Sequence, residues 1–563
     1  MEAKHPNKQA SPSHHQHFQI EDSNGDHQSE QKRWSKASCL CCEIDVAPFA
    51  FLMLLLILVS AFLFRGDQWT LFDKTKLPIM NKGQEDDIST FSNAPSKDKF
   101  IGGLLSDEFD EDSCKSRYNS MLFTNSSPHK PSSYLIQRLR KYEKLHKKCG
   151  PNTEHYNKAI DDLKSGNKNN NEQSECKYLI NQPNSGLGNR MITLVSCFLY
   201  AILSNRVLLT QSGMDMSDLF CEPFPLSSWL LPLDFPHNHL HHLSFGNMVR
   251  DSTRNSTTNY AFLDLSHGSN HYDKLFFCDE YHHGFIDNIT WIKTQSNQYF
   301  LPAFFLMPSY KQELDLLFPE KDTVFHHLGR YLFHPTNSVW GLITRYYSSY
   351  LAHAEQRLGV QIRVFDPAMS IFLNEKTPSE LVLEQIISCA LKEDLLPNVT
   401  VSVKNITRST RSKSVLITSL SSEFFDKIKN MYWEKATVDG EIISVYQPSH
   451  EEHQQTEKSS HDMKALAEMY LLSYSNVLMT SSLSTFGYVA QSLGGMKPWI
   501  LSRPDKYKVL HGVPCTRDLS MEPCYHAPPT FDCEAKKDTD LGLVVPHVKH
   551  CEDVDNGLKL VHS

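Results

Sequence analysis

The sequence predicts an α/β protein with two doubly wound domains that face a cleft, preceded by a single transmembrane helix and a stem. Three observations predict this. Apolar strand and helix patterns alternate through much of the chain, an uncharged apolar run lies near the N-terminus, and 563 residues are too many for one compact domain. Alternating strands and helices imply parallel sheets covered on both faces, and such sheets bind ligands beyond the carboxyl ends of their strands.

The apolar run comprises residues 46–64, VAPFAFLMLLLILVSAFLF. It is near the length that spans a bilayer, and the 45 residues before it favour a signal anchor over a cleaved signal peptide. Such a short span suits a thin early-secretory membrane. The five N-x-Ser/Thr sequons all follow the run, at Asn125, Asn255, Asn288, Asn398 and Asn405. We therefore expect a cytosolic tail and a large lumenal body.

The cysteines indicate the same topology. Eleven of the fourteen follow the apolar run, and their spacings match no zinc site, which predicts disulfides in an oxidising lumen. Eleven is an odd number, so at least one thiol stays free or pairs with another chain. Cys197, inside an apolar run, is the expected buried free thiol. The formal charge of -9 and the lack of a basic stripe argue against nucleic-acid binding.

The predicted organisation has five parts. A polar stretch without periodicity predicts a flexible stem, and SSYLIQRLRKYEKLHKK (132–148) has a helical period and either packs against the body or acts as a spacer. The parts are a cytosolic tail (1–45), the anchor (46–64), the stem and helical spacer (65–174), an N-terminal acceptor-side domain (175–355) and a C-terminal donor-side domain (356–563).

The turn SGLGNR joins an apolar strand to an apolar helix and contains Gly188, Asn189 and Arg190. Free amides at a helix start attract anions, and glycines let a ligand approach closely. The turn lacks the GK[ST] of a Walker loop and the third glycine of a dinucleotide fingerprint. It is either a phosphate or polar-ligand site, or a tight turn whose arginine forms a surface salt bridge.

A second candidate is QIRVFD, where Arg363 is expected inside a strand spanning residues 359–365. An arginine in an apolar strand needs a partner, and its planar fork suits phosphate oxygens. Asp366 could orient it. The competing interpretation is an internal pair between Arg363 and Asp366.

A third candidate is TSSLSTF, at the junction of a predicted strand and helix. Five hydroxyls crowd into six residues, which exceeds what N-capping needs, and hydroxyls with free amides can cradle a diphosphate. Ser482, Ser484 and Thr485 are the residues expected to contribute. The histidine-rich stretches PHNHLHH, YHHGF and FHHLGR have no Cys or carboxylate at ligand spacing, so no metal site is predicted.

Several uncommon blocks make the chain, from about residue 176 to its end, resemble the plant α-1,2-fucosyltransferases typified by xyloglucan fucosyltransferase. They are GLGNR with its helix, LFCEPFP followed by SWLLP, VFHHLGRYLFHPTN, QIRVFD, STFGYVAQSLGG and HCEDVDNGLKL. The resemblance implies a GT-B-like fold with two Rossmann-like domains. It also implies an inverting, metal-independent transfer of fucose from GDP-fucose to a galactose residue of a cell-wall glycan.

The resemblance also implies roles for particular residues. Arg363 becomes a β-phosphate ligand, with Asp366 beside it. A nucleotide site is implied for Ser482, Ser484, Thr485, Phe486 and Asp553, while Gly188, Asn189 and Arg190 line the cleft from the facing domain. TQSNQYF carries an amide, Asn297, at the position considered for a base, so no base is assigned.

The implied partners are GDP-fucose, a galactosylated polysaccharide and the Golgi membrane, in a single-pass type II topology. No metal cofactor is expected, and a homodimer is compatible with the sequence. Xyloglucan is the expected acceptor, and arabinogalactan protein or another glycan is the alternative. The motifs cannot separate these acceptors, because variable loops determine which acceptor is bound. A non-catalytic glycan-binding protein with this fold is the second alternative.

Overall fold

The structure is a computed structural model. It describes residues 98–123, 127–165, 175–211, 216–237, 243–251, 258–364, 379–401, 411–455, 458–502 and 512–562. The predicted anchor at 46–64 lies outside them. Among the described helices, Leu187–Ser204 is long and apolar enough to cross a membrane, but it is buried inside the protein. Its apolar character therefore fits a core helix.

The first sheet has five parallel strands: β1 (Lys177–Gln182), β2 (Arg206–Gln211), β3 (Leu230–Leu231), β4 (Tyr260–Asp264) and β5 (Trp291–Gln295). Their order is β3-β2-β1-β5-β4. The middle of β1 is buried on both faces, as expected for a parallel strand between helical layers. The helices of this half are α1 (Lys115–Asn119), α2 (Ser133–Cys149), α3 (Glu154–Ser165), α4 (Leu187–Ser204), α5 (Met216–Leu219), α6 (Phe245–Arg250), α7 (His271–Lys274), α8 (Asp279–Phe285), α9 (Pro308–Leu317), α10 (Val324–Leu332) and α11 (Asn337–Tyr346).

The second half begins with β6 (Gln356–Gln361), α12 (Ser379–Lys392), β7 (Val399–Thr400), β8 (Ser412–Thr418), α13 (Glu423–Glu434), β9 (Ala436–Thr437) and β10 (Ile442–Tyr446). It continues with α14 (Ser459–Ser473), β11 (Val477–Ser481), α15 (Thr485–Gly494), β12 (Trp499–Leu501) and β13 (Cys515–Arg517). The second sheet has the order β10-β8-β6-β11-β12-β13, and β13 alone among these strands runs antiparallel to its neighbour. The prediction of an α/β fold with parallel sheets is confirmed.

The last part of the chain contains short hairpins and returns to the first half. The strands are β14 (Phe531–Asp532), β15 (Lys537–Asp538), β16 (Val548–His550) and β17 (Leu558–Leu560). Tyr525 and Leu558 are buried in the same apolar cluster as α4, and this cluster also includes residues of α14 and α15. The two sheets are therefore tied together by a shared core as well as by the chain between them.

Part of the segment predicted as stem and spacer is packed against the first sheet. Leu104 is fully buried, and Cys114 forms a disulfide with Cys221. Helix α2, capped by Ser132, buries its apolar side, and the Tyr142 hydroxyl bonds to the backbone of β2. Of the two predicted uses of this helix, packing against the body is the one observed.

The described cysteines form five disulfides, and one thiol among them is free. The pairs are Cys114–Cys221, Cys149–Cys176, Cys278–Cys533, Cys389–Cys515 and Cys524–Cys551. The free thiol is Cys197, buried in α4, as predicted. Burial raises the pKa of this thiol well above its ordinary value, because the interior disfavours the thiolate.

Candidate active site

The N-termini of α4 and α15 meet where the two sheets face each other. The Thr485 hydroxyl donates to Oδ1 of Asn189 at 2.6 Å. Gly188 allows this approach, because a Cβ there would lie 2.7 Å from the Thr485 hydroxyl oxygen and 3.0 Å from the backbone nitrogen of Phe486. These glycine, asparagine and threonine residues, predicted to belong to one site, are therefore in direct contact.

The turn before α15 is shaped by specific residues. Leu483 has a φ of 60°, a left-handed conformation that non-glycine residues seldom adopt. Ser484 caps the helix by accepting from the amide of Gly487 at 3.4 Å. Gly487 lies against β11, since a Cβ there would be 1.9 Å from the Thr480 hydroxyl oxygen. The first amides of α15 are thereby directed towards the carboxyl edge of the second sheet, where anions are favoured.

Arg363 lies two residues beyond the end of β6, at the same edge. The prediction that it sits inside a strand is wrong, because β6 ends at Gln361. Its backbone amide donates to the Ser481 hydroxyl at 2.9 Å, which anchors it beside the turn before α15. Nη2 of its guanidinium donates to Oε1 of Gln454 at 2.7 Å. Burial lowers the pKa of Arg363 from its ordinary value, although an arginine remains charged at neutral pH.

Arg190 takes a different position from Arg363. Its guanidinium forms an ion pair with Asp462 of α14, and both side chains are buried. The salt-bridged alternative had expected such a pair on the surface. The structure instead buries it between the two halves, where it links α4 to α14.

Asp553 lies beneath the turn before α15. Its Oδ2 accepts from the Leu483 amide at 2.9 Å and from the Tyr488 hydroxyl at 2.5 Å, and the residue is 8% exposed. Tyr488 also bonds to His526 at 3.1 Å. Asp553 therefore stabilises the conformation of this turn through its hydrogen bonds.

The other residues considered from the sequence lie in three different places. Ser482, Thr485 and Phe486 are half-buried at the start of α15. Asp366 lies outside the described residues. Asn297, which follows β5, accepts from the amide of His267 at 2.9 Å and from Nε2 of Gln298 at 3.0 Å.

Two residues of the site were not predicted from the sequence. Gln454 and Asp462, which hold the two arginines, follow β10 in a polar loop and in the first turn of α14. Their partners are 91 and 272 residues away in the chain. Gln454 lies in a polar stretch and Asp462 at the start of a predicted helix, and nothing in the local sequence marks either residue as the partner of an arginine.

Two groups of potential metal ligands occur among the described residues. In one, Asp553 lies near the sulfurs of Cys524 and Cys551, but these sulfurs form a disulfide and cannot act as thiolate ligands. In the other, Asp287 joins His282 and His283, although the sequence had suggested no nearby carboxylate. This group precedes β5 and so lies at the amino edge of the first sheet, opposite the candidate site.

Comparisons with known proteins agree with this architecture. The xyloglucan fucosyltransferase family model matches residues 75–534. The chain is 54% identical over 478 residues to a galactoside 2-alpha-L-fucosyltransferase of Pisum sativum, covering 83% of this chain and 82% of the relative. It is 50% identical over 488 residues to a protein of the same name from Arabidopsis thaliana, covering 84% and 86%.

A solved structure of an Arabidopsis thaliana FUT1 variant in complex with GDP is 49% identical to this chain. It superimposes with a TM-score of 0.75 and covers 82% of this chain and 100% of the FUT1 chain. The similarity to these relatives therefore holds both in sequence and in fold. The chain belongs to the xyloglucan fucosyltransferase family and is a fucosyltransferase.

Proposed function

We propose that the protein transfers fucose from GDP-fucose to a galactose residue of a plant cell-wall glycan, forming an α-1,2 linkage with inversion at the anomeric carbon. Xyloglucan is the proposed acceptor. The names of the family and of the relatives support this chemistry, and the GDP complex of FUT1 supports the donor. The observation that carries the proposal is the position of Arg363 beside the N-terminus of α15.

The proposed chemistry requires stabilisation of a leaving group. As the bond between fucose and the β-phosphate breaks, positive charge develops on the sugar and negative charge on GDP. Preorganised donors directed at that phosphate stabilise the transition state. In the proposed site, the guanidinium of Arg363 and the first amides of α15 supply these donors, while the acceptor hydroxyl attacks the opposite face of the anomeric carbon.

The acceptor is tested by incubating the detergent-solubilised full chain with GDP-fucose and three glycans: galactosylated xyloglucan, xyloglucan stripped of galactose, and arabinogalactan protein. We expect fucose on the first alone, with release of GDP. Transfer only to arabinogalactan would change the acceptor. Glycan binding without transfer to any of the three would instead favour a non-catalytic glycan-binding protein.

We also propose that transfer needs no metal ion, because Arg363 and the α15 amides provide the charge stabilisation that Mg²⁺ provides in other sites. Turnover is then expected to survive EDTA. Loss of turnover on chelation, with recovery on adding Mn²⁺, would refute the metal-free proposal.

The proposed location is the Golgi membrane, with residues 46–64 as the anchor and the body in the lumen. Two of the sequon asparagines, Asn288 and Asn398, are exposed, as glycosylation requires. Endoglycosidase should increase the gel mobility of the expressed chain. An unchanged mobility, together with protease protection of the N-terminal tail, would reverse the topology.

A further inference from the structure

The chain after β10 passes across the candidate site. One of its side chains contacts residues of both halves of the protein. Residues 447–455 of this loop are here called the strap. Gln454, near its end, accepts from Nη2 of Arg363 at 2.7 Å. A Cβ on Gly186, in the turn before α4, would lie 2.9 Å from Nε2 of the same amide. The Gln454 side chain therefore contacts both Arg363 and the turn before α4.

We propose that Gln454 is a positioning residue for fucosyl transfer, which fixes the guanidinium of Arg363 and joins it to the turn of the facing half. The proposal rests on the proposed function, in which Arg363 contacts the donor phosphate. Gln454 acts through Arg363 and is not itself a catalytic residue.

The strap is held firmly enough for such a role. Nε2 of Gln447 donates to the carbonyls of Ser419 and Ser449 at 3.1 and 2.8 Å, and the Glu452 amide donates to the Leu420 carbonyl at 2.9 Å. These bonds fasten the strap to the chain beyond β8. The position of Gln454 is therefore set by the backbone on which it lies.

A second set of contacts fastens the strap to α14. The Ser449 hydroxyl donates to the buried carboxyl of Glu468. Glu451 accepts a hydrogen bond from Nδ1 of His461 at 3.4 Å and forms an ion pair with Lys464. Since α14 also carries Asp462, the partner of Arg190, this helix fixes the surroundings of both arginines.

An amide suits this role better than a carboxylate would. Arginine has five N–H donors in a rigid fork, and the hydrogen bond to Gln454 fixes the orientation of that fork. A neutral acceptor also leaves the guanidinium charge intact. A glutamate at this position would neutralise it and would compete with the donor phosphate for the same fork.

The close approach to Gly186 explains how the strap can lie across the site. Any side chain at position 186 would meet the amide of Gln454. The strap continues from β10 of the second sheet, whereas Gly186 precedes α4 of the first half. Their contact therefore keeps Arg363 and the turn before α4 at a fixed separation. A fixed geometry lowers the cost of reorganising the site during reaction.

The test compares four variants of the full chain: Gln454→Glu, Gln454→Met, Arg363→Lys and the double variant Gln454→Met with Arg363→Lys. Gln455→Glu is the matched control, because it adds the same charge one residue away on an exposed side chain. GDP affinity is measured by calorimetry, turnover by fucose transfer, and folding by thermal melting.

We expect Gln454→Glu to weaken GDP binding about 10-fold or more, since one charge-assisted hydrogen bond is at stake, and Gln455→Glu to change it less than about 2-fold. Gln454→Met should lower turnover about 10-fold in the wild-type chain but less than about 2-fold in the Arg363→Lys chain, because the fork that it orients is then absent. A purely structural role for Gln454 would give the same loss in both chains.

The outcomes separate the two proposals. If Arg363→Lys weakens GDP binding while Gln454→Glu and Gln455→Glu behave alike, the positioning role is refuted and the proposed function stands. If Gln454→Met lowers turnover equally in both chains, the role is structural and the positioning proposal is again refuted. If Arg363→Lys leaves GDP affinity unchanged, the proposed phosphate contact fails and the positioning role fails with it.

Discussion

Arg190 and Arg363 each follow the first strand of one of the two sheets but lie in different surroundings. Arg190 is buried and paired with the carboxylate of Asp462. Arg363 is half-buried, and the side-chain partner described for it is the neutral amide of Gln454. The first arginine joins two helices through an ion pair, whereas the second is held by an acceptor that leaves its charge in place.

This difference teaches that the role of an arginine that follows a strand in the sequence cannot be inferred from its position alone. A buried arginine paired with a carboxylate has its charge balanced, and removing either partner leaves the other uncompensated. An arginine held by an amide can still balance the charge of a ligand. We therefore expect Arg190 to serve stability and Arg363 to serve the proposed transfer, and the following experiments can break or sharpen that contrast.

The largest effect is expected from Arg190→Met. Removing the guanidinium leaves the Asp462 carboxylate buried without its partner, which costs about 3–5 kcal/mol of folding free energy. The melting temperature should fall strongly, while turnover per folded molecule stays near the wild-type value. Adding Asp462→Leu should recover part of the stability. A stable variant with weakened GDP binding would instead show that Arg190 contacts the donor.

Arg363→Lys should instead lower turnover and GDP affinity more than stability. Lysine keeps the charge and loses the bidentate fork, and a lost charged hydrogen bond is worth about 1.5–3 kcal/mol, or roughly 10- to 200-fold in turnover. GDP affinity should fall, and the melting temperature should change little.

Asp366→Asn is the matched variant for the alternative of an internal pair between Asp366 and Arg363. A destabilised Arg363→Lys protein with wild-type turnover per folded molecule, reproduced by Asp366→Asn, would remove Arg363 from the active site.

Gly188→Ala tests the contact between the two helix starts. Its Cβ would lie 2.9 Å from the carbonyl carbon of Thr485, so α4 and α15 must separate, at a cost of about 1–3 kcal/mol. Both melting temperature and turnover should fall. The exposed Gly268, where a Cβ meets nothing within 4 Å, supplies the control substitution. If Gly188→Ala matched Gly268→Ala in both measurements, close packing of the helix starts would not matter.

A pH dependence set by Glu468 is also expected. Burial raises its pKa to about 8, so the folded protein retains a proton that the unfolded chain releases near pH 4.5. The corresponding stability is fully present below pH 4.5 and is lost as the pH rises through about 8. Glu468→Gln mimics the protonated form. The variant should melt at the wild-type temperature near pH 4.5 and above it near pH 9.

The exposed Glu434 provides the comparison for this pH effect. Glu434→Gln removes a carboxyl from the surface of α13 and is the matched control. A Glu468→Gln difference that is constant across the pH range would mean that packing, and not titration, distinguishes the side chains.

The alternating strands and helices of the second half could be read from the sequence because apolar periodicity and turn residues are local signals. The helix predicted after SGLGNR corresponds to α4, and the two glycines that end STFGYVAQSLGG correspond to the end of α15, where Gly495 has a φ of 66°. The buried free thiol Cys197 was also predictable, because it lies inside an apolar run of the sequence.

The partners of the key side chains could not be read from the sequence. Arg190 and Asp462 are joined across 272 residues, and Arg363 and Gln454 across 91, so the pairing depends on how the two sheets are placed. The end of β6 was misplaced for a related reason. Ile362 and Val364 continue the apolar pattern past Gln361, although β6 ends at Gln361.

The disulfide between Cys278 and Cys533 has a consequence for biosynthesis. Its cysteines are 255 residues apart, and at about 5–20 residues per second the ribosome needs roughly 13 to 50 seconds to produce the second after the first. Cys389 and Cys515, partners in another bond, are both synthesised within that interval. Cys278 must therefore stay a thiol while other cysteines, with which it forms no native disulfide, are synthesised. The first half of the enzyme can complete its covalent structure only after nearly the whole chain has been translated.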